Sequence, residues 1–328
     1  MTRRALLSGS RAATTTTTPA VPYYEPLAYA LPTTAPYNVP SYLVTPTPDG
    51  SGEMVHPCVV DFGQARWHGF RYWMAVTPQT GNSDAVENPC ILVSNNAVEW
   101  APPPGLTNPI APKPEAEPAH NSDTHLIHDP TSDVLWCVYR ESVHNATRNP
   151  YETIIAKSSA DGVHWSAPVV MVGQNDLNTN RAMLSPSVIR KGEGDWWMTF
   201  CPGSTWRAPS IAGPWTKVSN HAWTNRQGAP WHSFVMWDAA RSRWLMLAED
   251  GDLFTATSPD CITWTKTSAP IVPQTRPGAW DNTLYRSCFT LHENGTGVRV
   301  WYSSGFTAHQ GWRIGYTQMP LTVWTTPA

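Results

Sequence analysis

The stretch HPCVVDFGQARWHGFRYWMAVTP, residues 56–78, contains two apolar segments separated by a polar break. The alternation of apolar residues in CVVDF (58–62) is typical of a β-strand, because a helix would need apolar residues spaced three and four apart. The second segment, RYWMAVTP (71–78), is rich in aromatic residues. The stretch therefore predicts two antiparallel strands, which cannot bury both of their faces unless other parts of the chain cover them.

The same arrangement recurs along the chain. Aromatic segments are found at RYWMAVTP (71–78), LWCVYRES (135–142), DWWMTFCPGS (195–204), RWLMLAEDG (243–251) and VWYSSG (300–305). An apolar segment precedes each of them, at HPCVVDF (56–62), DTHLIHD (123–129), SPSVIRK (185–191), WHSFVMWD (231–238) and LYRSCFTLH (284–292). A third segment follows each of them and carries a Trp, at Trp100, Trp165, Trp215, Trp264 and Trp324.

These three-part units follow one another at intervals of 49 to 65 residues, measured between the third-segment tryptophans. Units of this length with three or four short strands are the signature of a β-propeller, in which each blade covers the apolar face of its neighbour. A β-sandwich is the alternative, but it has no reason to repeat one three-part order five times. The sequence predicts an all-β protein with a five-bladed β-propeller at residues 53–328.

Residues 1–52 have a different composition. They include the run Thr14–Thr18 and eight prolines between Pro19 and Pro48, which exclude a helix or a central strand. They also carry five tyrosines, which supply apolar surface for docking. We predict an extended N-terminal anchoring arm that packs against another chain or lies along the propeller.

Composition and charge limit the partners. The net charge is −3 and the basic residues are scattered, so nothing predicts a nucleic-acid partner. No apolar run approaches the length of about 18 residues that a membrane helix needs, so we predict no membrane insertion. The apolar run Ala5–Leu7 is too short for the core of a secretory signal.

The cysteines lie far apart in the sequence and form no pair at zinc-ligand spacing. We predict that they are buried, reduced thiols. The chain also lacks a Gly-rich phosphate loop, a nucleophile elbow and an HExxH motif. The sequence motifs therefore predict neither a cofactor nor a bound metal.

The repeated unit, with its aromatic "YW" strand and its S-x-D-G-x-x-W turn, resembles the five-bladed propellers of the furanosidase glycoside hydrolases, including family 43. The Pro/Thr-rich arm and the stretch ENPCILVSNNAVEWAPPPGLTNPI (87–110) further resemble propeller proteins among bacteriophage minor tail proteins. This second resemblance implies a location in the virion, at the phage tail. It also implies other tail proteins bound through the arm and a cell-envelope polysaccharide as the ligand of the propeller.

In the furanosidase families, three carboxylates stand at the starts of the innermost strands of blades one, two and three. The corresponding residues of this chain are His56, Asp123 and Ser185, so only Asp123 matches. The resemblance implies a catalytic role for Asp123. Glu141 and Glu87 are the best candidates for the second acid, and the alternative for each is a loop carboxylate that faces water.

The predicted ligand-binding residues lie at the starts of blades. His56, His125 and His232 are placed to hydrogen-bond a sugar or hold an ion through water, and the alternative is a structural histidine. Arg286 is predicted to point into the funnel, where a guanidinium binds carboxylates or hydroxyls. Trp231 is a candidate for stacking on a sugar ring.

Three functions remain open from the sequence. The first is a phage tail protein whose propeller recognises a host cell-envelope glycan without cleaving it. The second is a glycoside hydrolase of a furanosidic polymer such as arabinan. The third is a ligand-free structural decoration of the tail.

Overall fold

The computed structural model describes residues 29–114, 118–143, 151–176, 183–275, 278–305 and 311–325, with the side chains of 174–176 left out. These residues form strands joined by loops and four short 3-10 helices, at Gly63–Ala65, Thr80–Asn82, Asp84–Val86 and Leu321–Trp324. The strands are β1 (Met54–Asp61), β2 (Tyr72–Pro78), β3 (Cys90–Ser94), β4 (Ala119–Asp129), β5 (Val134–Val143), β6 (Tyr151–Ser159), β7 (Val169–Asp176), β8 (Leu184–Gly192), β9 (Asp195–Cys201), β10 (Ser204–Ala208), β11 (Thr216–Asn220), β12 (Ala222–Trp223), β13 (His232–Asp238), β14 (Arg243–Asp250), β15 (Asp252–Ser258), β16 (Thr263–Lys266), β17 (Thr283–Leu284), β18 (Cys288–Leu291), β19 (Gly297–Gly305) and β20 (Trp312–Pro320).

The strands form five separate sheets, which confirms the predicted five-bladed β-propeller. Blade one contains β1 to β3, blade two β4 to β7, and blade three β8 to β11. Blade four contains β13 to β16 with β12 added at its outer edge, and blade five contains β17 to β20. The innermost strand is the first of each blade, and in blade five β17 and β18 share this position because both pair with β19.

One strand assignment from the sequence was wrong. The third segment of blade three, IAGPWTKV (211–218) around Trp215, is predicted to be a strand, but the third strand of this blade is β10 (Ser204–Ala208). A tight turn at Gly203, with a φ of +124°, reverses the chain immediately after β9, so the third strand begins at Ser204, before the segment that contains Trp215. Residues 211–215 of the segment instead connect β10 to β11, and residues 216–218 begin β11.

The first strands of blades one, two and three each contain a β-bulge at the same place. In each, two residues oppose one residue of the neighbouring strand, and the first of the two has a positive φ: 59° at His56, 54° at Asp123 and 50° at Ser185. A positive φ is unfavourable for a residue with a side chain, and bulges redirect the side chains they carry. The three bulges therefore turn these side chains out of the regular strand alternation.

The turn that ends the third strand of blade two fixes a tryptophan between blades. Ser159 Oγ accepts a hydrogen bond from the Gly162 N–H at 2.8 Å, and Asp161 Oδ1 accepts from the Val163 N–H at 2.8 Å. Gly162 has a φ of +75° and lies directly against the ring of Trp73, which is buried in blade one. The close approach of the turn to this ring leaves no space for a side chain.

We expect Gly162→Ala to lower the free energy of unfolding by about 1–3 kcal/mol more than Gly194→Ala, because it adds an overlap with the Trp73 ring. Gly194 is the matched control, since its φ is +67° and a Cβ there meets open space. Chemical denaturation of both variants measures the difference. Equal losses would show that backbone strain alone accounts for the effect.

The described part of the arm lies along blades four and five. The backbone N–H groups of Tyr37 and Leu43 donate to the carbonyls of Ile271 and Ile314, both at 2.8 Å. The side chains of Tyr37 and Leu43 are buried in the same core cluster as those two blades. Residues 29–50 are therefore packed on the propeller.

The tyrosines of the arm behave differently from one another. Tyr37 is buried, and the Tyr29 hydroxyl donates to the Tyr316 carbonyl at 3.2 Å, whereas Tyr42 is exposed. Residues 1–28, with the remaining tyrosines and the Thr run, lie outside the described residues. The division into an anchoring arm at 1–52 and a propeller at 53–328 stays a prediction.

All six cysteines fall within the described residues, where each is buried and unbridged. Burial raises the pKa of their thiols, for example to about 12 for Cys201. Within the described segments, no helix has the length and apolar character needed to cross a membrane.

Candidate functional site

Three buried side chains from three blades meet at the mouth of the funnel, defined as the end at which the first strands of the blades begin. Asp123 Oδ1 lies 3.4 Å from His56 Nε2 and 3.7 Å from His232 Nδ1. We call His56, Asp123 and His232 the funnel cluster. All three were predicted site residues, and the bulges at His56 and Asp123 bring two of them together.

The cluster has free ligand atoms. His56 Nε2, Asp123 Oδ1 and His232 Nε2 are each buried and have no hydrogen-bond partner. Counting either ring nitrogen of each histidine and a carboxylate oxygen of Asp123, one ligand atom from each residue lies within 4.8 Å of the other two. Two imidazoles and one carboxylate are a ligand set that suits a divalent zinc or iron ion. The donor set and its unpaired atoms fit a divalent cation. No motif spacing in the sequence indicates such a site, because the ligands come from three blades.

Arg140 holds the carboxylate of the cluster in place. Its Nε donates to Asp123 Oδ2 at 2.7 Å, its Nη1 to Glu152 Oε1 at 2.5 Å, and its Nη2 to Ser122 Oγ at 2.8 Å. Burial acts to raise the pKa of Asp123, but the charge of Arg140 holds it below its usual value. Asp123 is therefore an ionised carboxylate with one oxygen fixed by Arg140 and the other facing the histidines.

The second nitrogen of each histidine is bonded to a hydroxyl. His56 Nδ1 lies 2.9 Å from Thr77 Oγ1, and His232 Nδ1 lies 2.6 Å from Ser185 Oγ. His56 Nδ1 also accepts a hydrogen bond from the Asp123 N–H at 3.3 Å. These contacts orient the rings, and Nε2 is the nitrogen of each ring that has no hydrogen-bond partner. Burial lowers the pKa of His56, and it lowers that of His232 to about 3, so both rings are neutral, as a metal ligand must be.

Glu87 lies beside the cluster in the loop between β2 and β3. Its Oε2 is 3.3 Å from His56 Nδ1 and 3.5 Å from Thr77 Oγ1. Burial, followed by the nearby charge of Asp123, raises the pKa of Glu87 well above its usual value. A buried carboxyl group of this kind exchanges protons near neutral pH more readily than an exposed one.

Aromatic side chains surround the cluster. The Tyr285 ring lies 5.2 Å from His56 and 4.2 Å from His232, measured between ring centroids. On its other side it contacts Trp312 at 5.1 Å. Trp231, a predicted sugar-stacking residue, meets His232 edge-on at 5.6 Å and is otherwise exposed.

The structure does not bring the other predicted residues into the cluster. Glu141 follows Arg140 in β5, and successive strand residues point to opposite faces, so it faces away from Asp123. His125 lies deeper in the funnel, where Nε2 is 2.8 Å from the Val188 carbonyl. Arg286 is fully buried, and its guanidinium donates to the carbonyls of Thr124 and Pro186 at 2.6 and 2.8 Å. His125 and Arg286 therefore make hydrogen bonds between blades.

Sequence reasoning did not assign roles to Arg140, Ser185 or Tyr285 at the site. Each stands in a quoted repeat segment. Ser185 is aligned with His56 and Asp123 in the sequence, and the three residues occupy equivalent bulge positions in their strands. No sequence signal identifies Arg140 as the partner of both Asp123 and Glu152.

No protein-family model matches the chain. It is 26% identical over 314 residues to the A type blood N-acetyl-alpha-D-galactosamine deacetylase of Flavonifractor plautii, an alignment that covers 77% of this chain. The chain spans 40% of the length of that curated relative.

Solved structures share the fold. The crystal structure of an N-acetylgalactosamine deacetylase from F. plautii, in complex with blood group B trisaccharide, superposes with a TM-score of 0.74 at 21% identity, covering 87% of this chain and 95% of that one. An alpha-L-arabinanase of Penicillium chrysogenum complexed with arabinobiose gives a TM-score of 0.54 at 14% identity, covering 84% and 79%. These similarities confirm a propeller of the furanosidase type at the level of the fold.

Proposed function

We propose that this propeller is a hydrolase that removes the acetyl group from an N-acetylated amino sugar of a glycan, with a divalent cation bound at the funnel cluster. The observation that carries the proposal is the grouping of one ligand atom each from His56, Asp123 and His232 within 4.8 Å, in buried residues that each also have a side-chain atom without a hydrogen-bond partner. The name of the relative in Flavonifractor plautii supports the acetamido group as the substrate.

The reaction adds water across the acetamide C–N bond. The acyl carbon gains a hydroxyl group, the nitrogen leaves with a proton as the free amine of the sugar, and acetate is released. A divalent cation held by His56, Asp123 and His232 would supply a Lewis acid for the acetyl carbonyl. Glu87, beside His56, is positioned to accept the proton of the attacking water and deliver it to the departing nitrogen.

The other residues orient this chemistry. Arg140 fixes Asp123, while Thr77 and Ser185 fix the two imidazole rings. Tyr285 packs on both rings and limits the access of water to the cluster from the side of blade five.

Cleavage of a furanosidic bond is less well supported by this geometry. It needs one carboxyl group as acid and a second carboxylate as base or nucleophile on the other side of the bond. Asp123 is tied to Arg140 through one oxygen and faces two histidines with the other, so it does not stand free for that role. The similarity to arabinanase concerns the fold.

The test is acetate release by the full chain from oligosaccharides that contain N-acetylgalactosamine or N-acetylglucosamine. We expect release with added Zn²⁺, Mn²⁺ or Co²⁺ and loss of release after treatment with a chelator. His56→Ala and His232→Ala should abolish release and metal binding. His128→Ala is the matched control and should retain both, because His128 lies at the opposite end of β4 and pairs with Asp133.

Two outcomes would overturn the proposal. If acetate release continued after chelation, the reaction would not require the cation. Binding of these glycans without acetate release at any metal would leave a propeller that recognises a glycan without processing it.

We infer the location of the chain in a phage tail from the Pro/Thr-rich arm and the resemblance to minor tail proteins. In this proposal the arm binds other tail proteins and the propeller meets a cell-envelope polysaccharide of the host. Mass spectrometry of purified virions should find the chain in a fixed ratio to known tail proteins. Its presence solely in the unbound fraction of the lysate would overturn the proposal.

A further inference from the structure

Trp231 is the most exposed tryptophan among the described residues, with 56% of its surface accessible. Its position is fixed, because its backbone N–H donates to the Glu249 carbonyl at 2.9 Å and its ring meets His232 edge-on. A large apolar ring that is held in place and left open to solvent beside a polar cluster has the character of a binding-site wall. It lies at the mouth of the funnel, where β13 begins.

Glu249 lies next to it with an unused oxygen. Glu249 pairs with His232 in the register of β13 and β14, and directly opposed side chains share one face of a sheet, about 4.5–5.5 Å apart. Glu249 Oε1 accepts a hydrogen bond from the Gly251 N–H at 2.6 Å, whereas Oε2 is buried and has no partner. A buried polar atom without a partner requires an explanation, and a ligand hydroxyl or amide group supplies one.

Trp231 and Glu249 lie beside the funnel cluster rather than within it. They adjoin His232 on blade four, whereas Glu87 adjoins His56 on blade one. A group bound over the cluster therefore has Glu87 on one side and Trp231 with Glu249 on the other. Any ligand that reaches both sides must be longer than the reacting group.

We propose that Trp231 and Glu249 form a second sugar subsite, in which the neighbouring unit of an oligosaccharide stacks on the indole ring and one of its hydroxyl groups donates a hydrogen bond to Glu249 Oε2. The inference deepens the proposed function and rests on it only in placing an N-acetylated unit over the cluster. The ligand class is then an oligosaccharide of at least two units.

The test is calorimetric titration of the full chain with N-acetylgalactosamine and with a disaccharide in which this sugar is linked to galactose. We expect Trp231→Ala and Glu249→Met each to weaken disaccharide binding by about tenfold or more, with monosaccharide binding unchanged. Trp231→Phe should recover part of the affinity because it keeps an aromatic ring. Should Glu249→Met fail to fold, Glu249→Gln replaces it, and the expected loss is smaller.

Trp215→Ala is the matched control, since Trp215 lies between β10 and β11 at the end of the propeller opposite the mouth. Equal losses of affinity for the monosaccharide and the disaccharide, or no loss of affinity in either variant, would overturn the proposed subsite. Failure of the proposed function gives a different result, namely absent acetate release while disaccharide binding remains sensitive to Trp231.

Discussion

Arg140→Met is expected to lower the free energy of unfolding by about 3–5 kcal/mol, because it leaves two buried carboxylates without a partner. Arg140 is buried and bridges Asp123 and Glu152 with distances of 2.7 and 2.5 Å. Glu152 also accepts a hydrogen bond from the Met183 N–H, which links blade two to blade three. Loss of the guanidinium therefore affects the site and the joint between two blades together.

Chemical denaturation of the variant measures this loss. Adding Asp123→Asn and Glu152→Gln to Arg140→Met should recover much of the stability, since no uncompensated charge then remains buried. The matched control is Arg207→Met, because Arg207 pairs with Asp195 at the surface and such pairs contribute about 0–1 kcal/mol. A similar loss of stability in Arg140→Met and Arg207→Met would show that the buried Arg140 ion pairs contribute no more stability than a surface pair.

The stability and the activity of Arg140→Met should separate in the triple variant. Asp123→Asn replaces the ionised ligand of the cluster by an amide, so metal binding should stay lost even where folding is recovered. A triple variant that is folded but releases no acetate would thus agree with the proposed function. A triple variant that is as active as the natural sequence would contradict it.

The fold could be predicted from the sequence because its signals are local. Each blade repeats an apolar strand, an aromatic strand and a Trp-bearing turn within one continuous segment, so the period is visible without knowledge of long-range contacts. The failure in blade three has the same origin. The segment around Trp215 was predicted as the strand itself, but β10 ends at Ala208 and Trp215 lies in the loop that follows it.

The site was predicted in part, for a physical reason. Side chains at the starts of first strands must approach the propeller axis, and this rule placed His56, Asp123 and His232 together. It failed for Arg286, which lies in the same register but reaches across the axis to the backbone of blades two and three. Whether an axial side chain faces the mouth or the interior depends on bulges and neighbours, which the strand pattern does not encode.

The partners of the cluster depend on contacts that are distant in sequence. Glu87 was selected as a loop acid, and its contact with His56 follows from the way the loop between β2 and β3 folds over the mouth. Arg140 and Glu141 are adjacent, and the sequence alone favoured the acid. The pairing of β4 with β5 determines which of the two side chains reaches the cluster, because it turns Arg140 toward Asp123 and Glu141 away from it.

Leu43→Ala is expected to lower the free energy of unfolding by about 2–5 kcal/mol, the usual cost of truncating a buried leucine. The Leu43 side chain is 5% exposed, and its N–H donates to the Ile314 carbonyl of β20. Val44 is the matched control, since it is the next residue and is 84% exposed. We expect Val44→Ala to change stability by less than about 0.5 kcal/mol.

The comparison decides how the arm should be divided. A large loss for Leu43→Ala with none for Val44→Ala means that residues 37–45 belong to the core of blades four and five. Truncation beyond Tyr37 should then unfold the propeller, whatever the role of residues 1–28. Equal, small effects of the two variants would mean that the arm lies on the surface without stabilising it, and that the propeller begins at residue 53 in energetic terms as well. Denaturation curves of the two variants, recorded with the same chain length, separate these outcomes because neither variant alters the connection to residues 1–28.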